Sequence, residues 1–418
     1  MSAFTDATDT APRATPDVRP NIREDLRPAI QALPESGIVR VFNHGRTREG
    51  LIPMWAGEGD LPTPAFLCEA SQAAMLRGET FYTYQRGLPD LRASLARYFA
   101  RLYDRPFAAD EFFVTGGGMQ AIQLAMQLTV SDGDDVVILS PAWPNFEGAA
   151  RGAGASVTAV DLTRDAAGGW HLDLDRLFAA CTPRTRALFI NSPANPTGWT
   201  ASQEELAAIL AFARERGLWI IADEIYARFY FPNEAAADEA HAPIAPSFQT
   251  LREPDDRIIF VNTFSKNWAM TGWRMGWLQA PAALGQDVEN LIQYNTSGVP
   301  AFHQHAGIAA LETAEGEALA LSQIERARRG RKIIATAFQG QERVRATPPA
   351  GAFYQFFALD GFDDSMETAL RLVDEANIGL APGIAFGPAG EGYYRLCFLR
   401  SADALEAAMD RLTTWLAR

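Results

Sequence analysis

Residues 187–226, ALFINSPANPTGWTASQEELAAILAFARERGLWIIADEIY, read as strand, loop, helix, strand. The runs ALFI and LWIIA are short and apolar on both faces, which is the pattern of a strand buried on both sides. Between them, Ser202 followed by Glu205 forms a capping-box signature ahead of LAAILAFARERG, and Gly217 is placed to stop that helix. Two strands joined through a helix make a parallel crossover unit. The same alternation extends in both directions. Strands are expected at Phe112–Thr115, Val136–Leu139, Ser156–Val160, Ala187–Ile190, Leu218–Ala222, Ile258–Val261 and Met275–Gln279. The fold class is therefore α/β, with a large, mostly parallel seven-stranded sheet domain flanked by helices. Beyond residue 301 come long Ala-, Glu- and Arg-rich helical patterns, the strand-like runs PPAGAFYQFFAL and YYRLCFL, and a final helix near Ala402–Leu416. They suggest a smaller α/β domain.

The chain has 418 residues, 48% of them apolar and 21% charged, so it can bury a large core. A net charge of -14 repels a phosphate backbone and argues against a nucleic-acid partner. The three cysteines, Cys68, Cys181 and Cys397, lie far apart with no CxxC pair, which gives no disulfide framework and no structural metal site and suits a reducing, cytoplasmic location. The polar, Pro-rich start has no signal-peptide pattern, and no apolar run approaches the roughly 18 to 20 residues of a membrane span. Only two lysines occur, Lys266 and Lys332, against 35 arginines.

Three loops carry chemistry. In EFFVTGGGMQAIQLAMQ (111–127) a glycine turn between strand and helix exposes backbone N–H groups at the positive end of a helix dipole, where a phosphate is favoured. It is not GxxxxGK[ST], so nucleotide hydrolysis is not indicated. The loop NSPANPTG (191–198) presents Asn195 at the carboxyl end of a parallel strand, where open α/β sheets bind ligands, and the next strand ends in Asp223, Glu224 and Tyr226. An acid at the mouth of a buried strand needs a cationic or donor partner. In TFSKNWAMTGWRMGW (263–277), Lys266 sits in an apolar, aromatic run that lowers an amine pKa, as a Schiff-base lysine requires. Thr263, Ser265 and Arg274 nearby suit a phosphate dianion.

Taken together, GEGDLPTP (57–64), FYTYQRGLPDLR (81–92), TGGGMQAI (115–122), PAWPNF (141–146), NSPANPTG, ADEIY (222–226), TFSKNWAMTGWR (263–274) and APGIAFG with YYRLCF (381–398) resemble the class I/II aminotransferases, fold-type-I enzymes that depend on pyridoxal 5'-phosphate (PLP). Any one motif is weak; eight in order, over about residues 50–400, are specific. The resemblance implies a homodimer with active sites at the subunit interface. It also implies a flexible arm at 1–30, a segment at 31–56 that packs with the small domain, a PLP-binding domain at 57–300 and a small domain at 301–418.

By resemblance, Lys266 forms the Schiff base with PLP and later moves the Cα proton. Asp223 pairs with the pyridine nitrogen, so that the ring can accept electrons. Tyr226 and Asn195 bond the ring's phenolic oxygen, and Trp143 stacks on its face. The phosphate falls to the backbone of Gly117, Gly118 and Met119, to Thr263, Ser265 and Arg274, and to Tyr82 from the neighbouring subunit. Many relatives have a lysine or hydroxyl where this chain has Met119, so that residue offers only its backbone. Arg395 receives the substrate α-carboxylate, with Gly57 as a backbone donor to it. No metal is implied.

The reaction implied is transfer of the amino group of an L-amino acid to a 2-oxo acid in two half-reactions. A PLP lyase or decarboxylase, and a non-catalytic regulator, are the alternatives that the residues leave open; such regulators carry a DNA-binding module, for which the residues before Gly57 are too few. The basic run ERARRGRK (325–332) reads as a solvated helix face, and the five histidines as neither ligands nor catalysts. In IQYNTSGVPAF (292–302) there is no Arg or Lys to read a second carboxylate, and Arg46 and Arg48 are the nearby basic candidates. Uncharged substrates are therefore expected to be accepted at least as well as dicarboxylates.

Overall fold

A computed structural model describes residues 22–165, 168–232 and 243–418. Residues 1–21 of the expected arm lie outside the described residues. All seven expected strands form, within a residue or two at their ends, and build one sheet: β1 (Phe112–Thr115), β2 (Asp135–Ser140), β3 (Ser156–Asp161), β4 (Thr185–Asn191), β5 (Trp219–Asp223), β6 (Ile258–Thr263) and β7 (Gly276–Gln279). Their spatial order is β1-β7-β6-β5-β4-β2-β3. Strand β7 runs antiparallel to both neighbours, and the remaining pairs are parallel.

Alternation along each strand separates two cores. Val136, Ala187, Phe189, Ile221 and Val261 face the helices Gly118–Thr129, Asn145–Gly152 and Gly285–Asn295. Val137, Leu188, Ile190, Ile220 and Phe260 face the helix Gln203–Arg216 on the other side. That helix is closed at both ends as its sequence requires: Ser202 and Glu205 form the reciprocal capping box, and Gly217 ends it at φ 65°, a left-handed conformation that glycine adopts without steric cost.

The second sheet is antiparallel, in the order β8 (Val344–Arg345), β9 (Tyr354–Leu359), β11 (Tyr393–Cys397), β10 (Ala381–Pro382). One face packs with the helices Ala314–Phe338 and Ala402–Leu416 around Phe357, Leu396 and Leu412. Its other face packs Phe356 and Ala381 with Val41 and Trp55 of the N-terminal segment and with Ala369 and Val373 of the helix Ser365–Ala376.

The helix Ala301–Glu312, expected to open the small domain, instead buries Ala306, Ala310 and Leu311 with Leu67, Leu91 and Phe99 of the large one. The following helix, Ala314–Phe338, adds Ala320 to that cluster and then Ile324, Ala327 and Ile334 to the small-domain core. The core thus changes over inside a single 25-residue helix. Its continuous backbone hydrogen bonding makes it a stiff connection between the two units.

Candidate active site

The carboxyl ends of β4, β5 and β6 lie side by side. Register pairs Asn191 with Asp223, and Asp223 with Val261. Against this edge lies a cavity of about 400 Å³, walled by the large domain, by Arg395 and Tyr354 of the small domain, by Ile38 and Trp55 of the N-terminal segment, and by Gly57 just after it. Asp223, Tyr226, Asn195, Lys266, Thr263, Ser265, Arg274, Gly118, Met119, Trp143, Gly57 and Arg395 all line it. Gly117 adjoins it: a β-carbon there would lie 2.8 Å from an Arg274 guanidinium nitrogen.

Lys266 is half-buried, and its Nζ donates to the Gly57 carbonyl at 2.6 Å. Burial lowers its pKa to about 8, because water no longer solvates the ammonium. Asp223 is 1% exposed, and among the described residues its carboxylate accepts one hydrogen bond, from Ile225 N at 3.3 Å. Burial raises it to about 7, opposed by that bond and by Lys266. A carboxylate in such a place stays fully charged at neutral pH only when a cation docks against it; otherwise it takes up a proton.

Asn191 braces the two neighbouring loops, donating to the Asp223 carbonyl at 3.0 Å and accepting from Asn195 N at 2.8 Å. The Asn195 carboxamide oxygen accepts from Arg395 at 2.9 Å, which leaves its NH2 edge for a ligand. Arg395, 2% exposed, also donates to the Trp55 carbonyl. Its Nε is buried without a hydrogen-bond partner, a cationic donor set prepared for an anion.

At the other end, the helix Gly118–Thr129 begins at Gly117 (φ 85°) with no side-chain cap, so its first N–H groups stay open. Thr263 and Ser265 share a 2.8 Å hydroxyl contact beside this turn. An uncapped helix end, an arginine and two hydroxyls suit a phosphate. The orphaned acid, the amine and the second arginine lie in the same cavity, so these residues fit PLP.

Residues 52–412 match the family model described as aminotransferase class I and II. The chain belongs to this family. It is similar to the aspartate aminotransferase of Pyrococcus horikoshii, with 30% identity over 92% of this chain and 95% of that one. It is also similar to aromatic-amino-acid aminotransferase 2 of Thermococcus litoralis, with 31% identity over 93% and 97%. Among solved structures, a single mutant of Thermus thermophilus aspartate aminotransferase superposes with a TM-score of 0.83 at 30% identity, covering 93% of this chain and 99% of that one. The chain is a fold-type-I, PLP-dependent aminotransferase that moves an amino group from an amino acid to a 2-oxo acid.

Tyr82 is not brought to this cavity. It is 95% exposed, at the rim of a second cavity formed by residues 80–83 and 296–302. Neither Arg46 nor Arg48 lines the pocket, and Arg48 is engaged by Asp374 and Asn377. Sequence reading missed Tyr354, whose hydroxyl meets that of Tyr226 at 2.8 Å, because PPAGAFYQFF has the look of plain core strand. Trp55 and Ile38 were missed as well, for want of any local pattern pointing inward. Among the described residues no helix is long and apolar enough to cross a membrane, and no group of three acidic, His or Cys side chains is set to hold a metal.

The depressed Lys266 pKa has a direct readout. In the cofactor-free protein, modification of Lys266 by an amine-acylating reagent, followed by peptide mass spectrometry, should rise with a midpoint near pH 8. A midpoint near the ordinary lysine value of about 10.4 would show the pocket to be wetter than described.

Proposed function

We propose that this aminotransferase acts on L-amino acids with uncharged, apolar side chains, as a cytoplasmic homodimer with shared active sites. One observation carries the substrate class: among the described residues the pocket is lined by three cations, Lys266, Arg274 and Arg395, and each has a task that leaves none for a second carboxylate. Relatives named for aspartate and for aromatic amino acids both occur, so family membership leaves the side chain open. What remains of the wall is largely apolar, with Ile38, Met119 and Trp143 beside Asn145. A distal carboxylate placed there would lose its water without gaining a partner.

In this reading the Gly118 and Met119 N–H groups, Thr263, Ser265 and Arg274 would hold the cofactor phosphate, joined by Tyr82 of the partner subunit, whereas the Gly117 N–H is donated to the Thr115 carbonyl at 2.7 Å. Asp223 would hold a proton on the pyridine nitrogen, where a ring cation would pair with its buried carboxylate. When bound, PLP supplies a carbon that condenses with amines and a ring that takes up the electron pair left at Cα. Arg395 and the Gly57 N–H orient the substrate carboxylate. Trp143 covers the ring face, while Asn195 and Tyr226 donate to its phenolic edge. Lys266, its pKa lowered to about 8, has a large neutral fraction near that pH, and its free amine would carry the proton from Cα.

The dimer is supported by exposed aromatic side chains: Phe81 and Tyr82 at the second cavity, and Tyr84 and Tyr294 close to its lining in sequence, are all more than half exposed. Such a patch is unusual on a monomer's surface. Light scattering of the purified enzyme should give twice 45.7 kDa. A monomer at micromolar concentration would remove the basis for placing Tyr82 at a neighbour's phosphate.

For the substrate, kcat/KM should be at least as high for phenylalanine, methionine or alanine as for aspartate and glutamate. A preference for aspartate of about a hundredfold, roughly 2.7 kcal/mol of transition-state binding, would overturn the assignment.

A further inference from the structure

Tyr354 stands where the two ends of the site meet. It is fully buried on β9, in register with Cys397 of β11, two residues from Arg395. Its hydroxyl lies 2.8 Å from that of Tyr226. The Arg395 guanidinium carbon sits over its ring, 4.5 Å from the centroid. A β-carbon on Gly57 would come within 2.5 Å of the same hydroxyl, so the residue whose carbonyl holds Lys266 must be glycine for Tyr354 to fit.

Two buried hydroxyls in contact can share only one hydrogen bond, and the second proton is then free to point elsewhere. Burial pushes both phenols above their ordinary range, so each keeps its proton. If Tyr354 donates, the Tyr226 oxygen is occupied as an acceptor and its own proton turns toward the cavity that it lines. A hydroxyl that accepts one bond is also a stronger donor in the next. The ring of Tyr354 meanwhile supports Arg395 through its π face, with Phe386 at 4.9 Å on the same guanidinium.

We propose that Tyr354 is a positioning residue that acts on both halves of the site, its hydroxyl aiming the Tyr226 proton at the cofactor's phenolic oxygen and its ring fixing Arg395 for the substrate carboxylate. The inference rests on the roles given above to Tyr226, Arg395 and Lys266.

The test uses PLP-loaded enzyme and two variants. Tyr354→Phe keeps the ring and removes the hydroxyl; Tyr354→Leu removes both. Two quantities are read: the pH midpoint of the visible absorbance change of the lysine-bound cofactor, and KM for L-phenylalanine. Donation to the phenolic oxygen competes with the proton on the linkage nitrogen. Tyr354→Phe should therefore raise the midpoint by about half a unit or more, about threefold in proton affinity, and change KM less than twofold. Tyr354→Leu should raise the midpoint similarly and increase KM by about tenfold. A Tyr354→Phe titration that superimposes on wild type, or a Tyr354→Leu enzyme with wild-type KM, overturns the proposal while leaving the lysine and arginine roles intact. A wild-type enzyme without any pH-dependent band would instead defeat the reading on which the proposal rests.

Discussion

The pocket depends on one electrostatic constraint: a half-buried amine and a buried carboxylate share one cavity, and among the described residues neither has a charged partner in direct contact. Among those residues the Lys266 amine meets a backbone carbonyl, and the Asp223 carboxylate a backbone N–H. Burial moves the two pKa values toward each other, to about 8 and about 7. Stability alone would not favour this arrangement, since well-packed apolar residues of similar size often serve as well or better. It becomes favourable when a molecule bearing a ring cation at one end and an amine-reactive carbon at the other occupies the space between.

The fold delivers these groups through topology. Parallel strands place the loops NSPANPTG, ADEIY and TFSK at one edge, and the Asn191–Asp223 register locks two of them together. The anion readers come from elsewhere. Arg274 follows β6 and presses on the glycine turn, whereas Arg395 belongs to the small-domain sheet and reaches Asn195 and Trp55. The site is thus complete only when both chain ends close over the sheet. The helix Ala314–Phe338, shared by both cores, couples the position of the small domain to the large one.

Most of the large domain was legible because its central strands are buried on both faces and its loops carry Gly, Pro and Asn at turns that need them. Lys266 was conspicuous through scarcity, as one of two lysines placed in an apolar run. Arg395 stood out as a charge inside YYRLCFL. Tyr354 did not, since a tyrosine in a core strand has no sequence mark that separates packing from function. The start of the small domain was also hidden: Ala301–Glu312 and Ala314–Phe338 both read as Ala-rich helices, and the partners of their buried faces show where each belongs. Arg48, a sequence candidate for a further cation, is turned to Asp374 and Asn377, more than 320 positions along the chain, and does not line the cavity.

The account stands on the identity of the lysine that meets the cofactor, and a chain with two lysines allows a clean answer. Native enzyme loaded with PLP, reduced with borohydride and digested, should yield a pyridoxyl group on the peptide containing Lys266 and none on that containing Lys332. A label on Lys332 alone would contradict the assignment of the cavity, the electrostatic argument and the mechanism together.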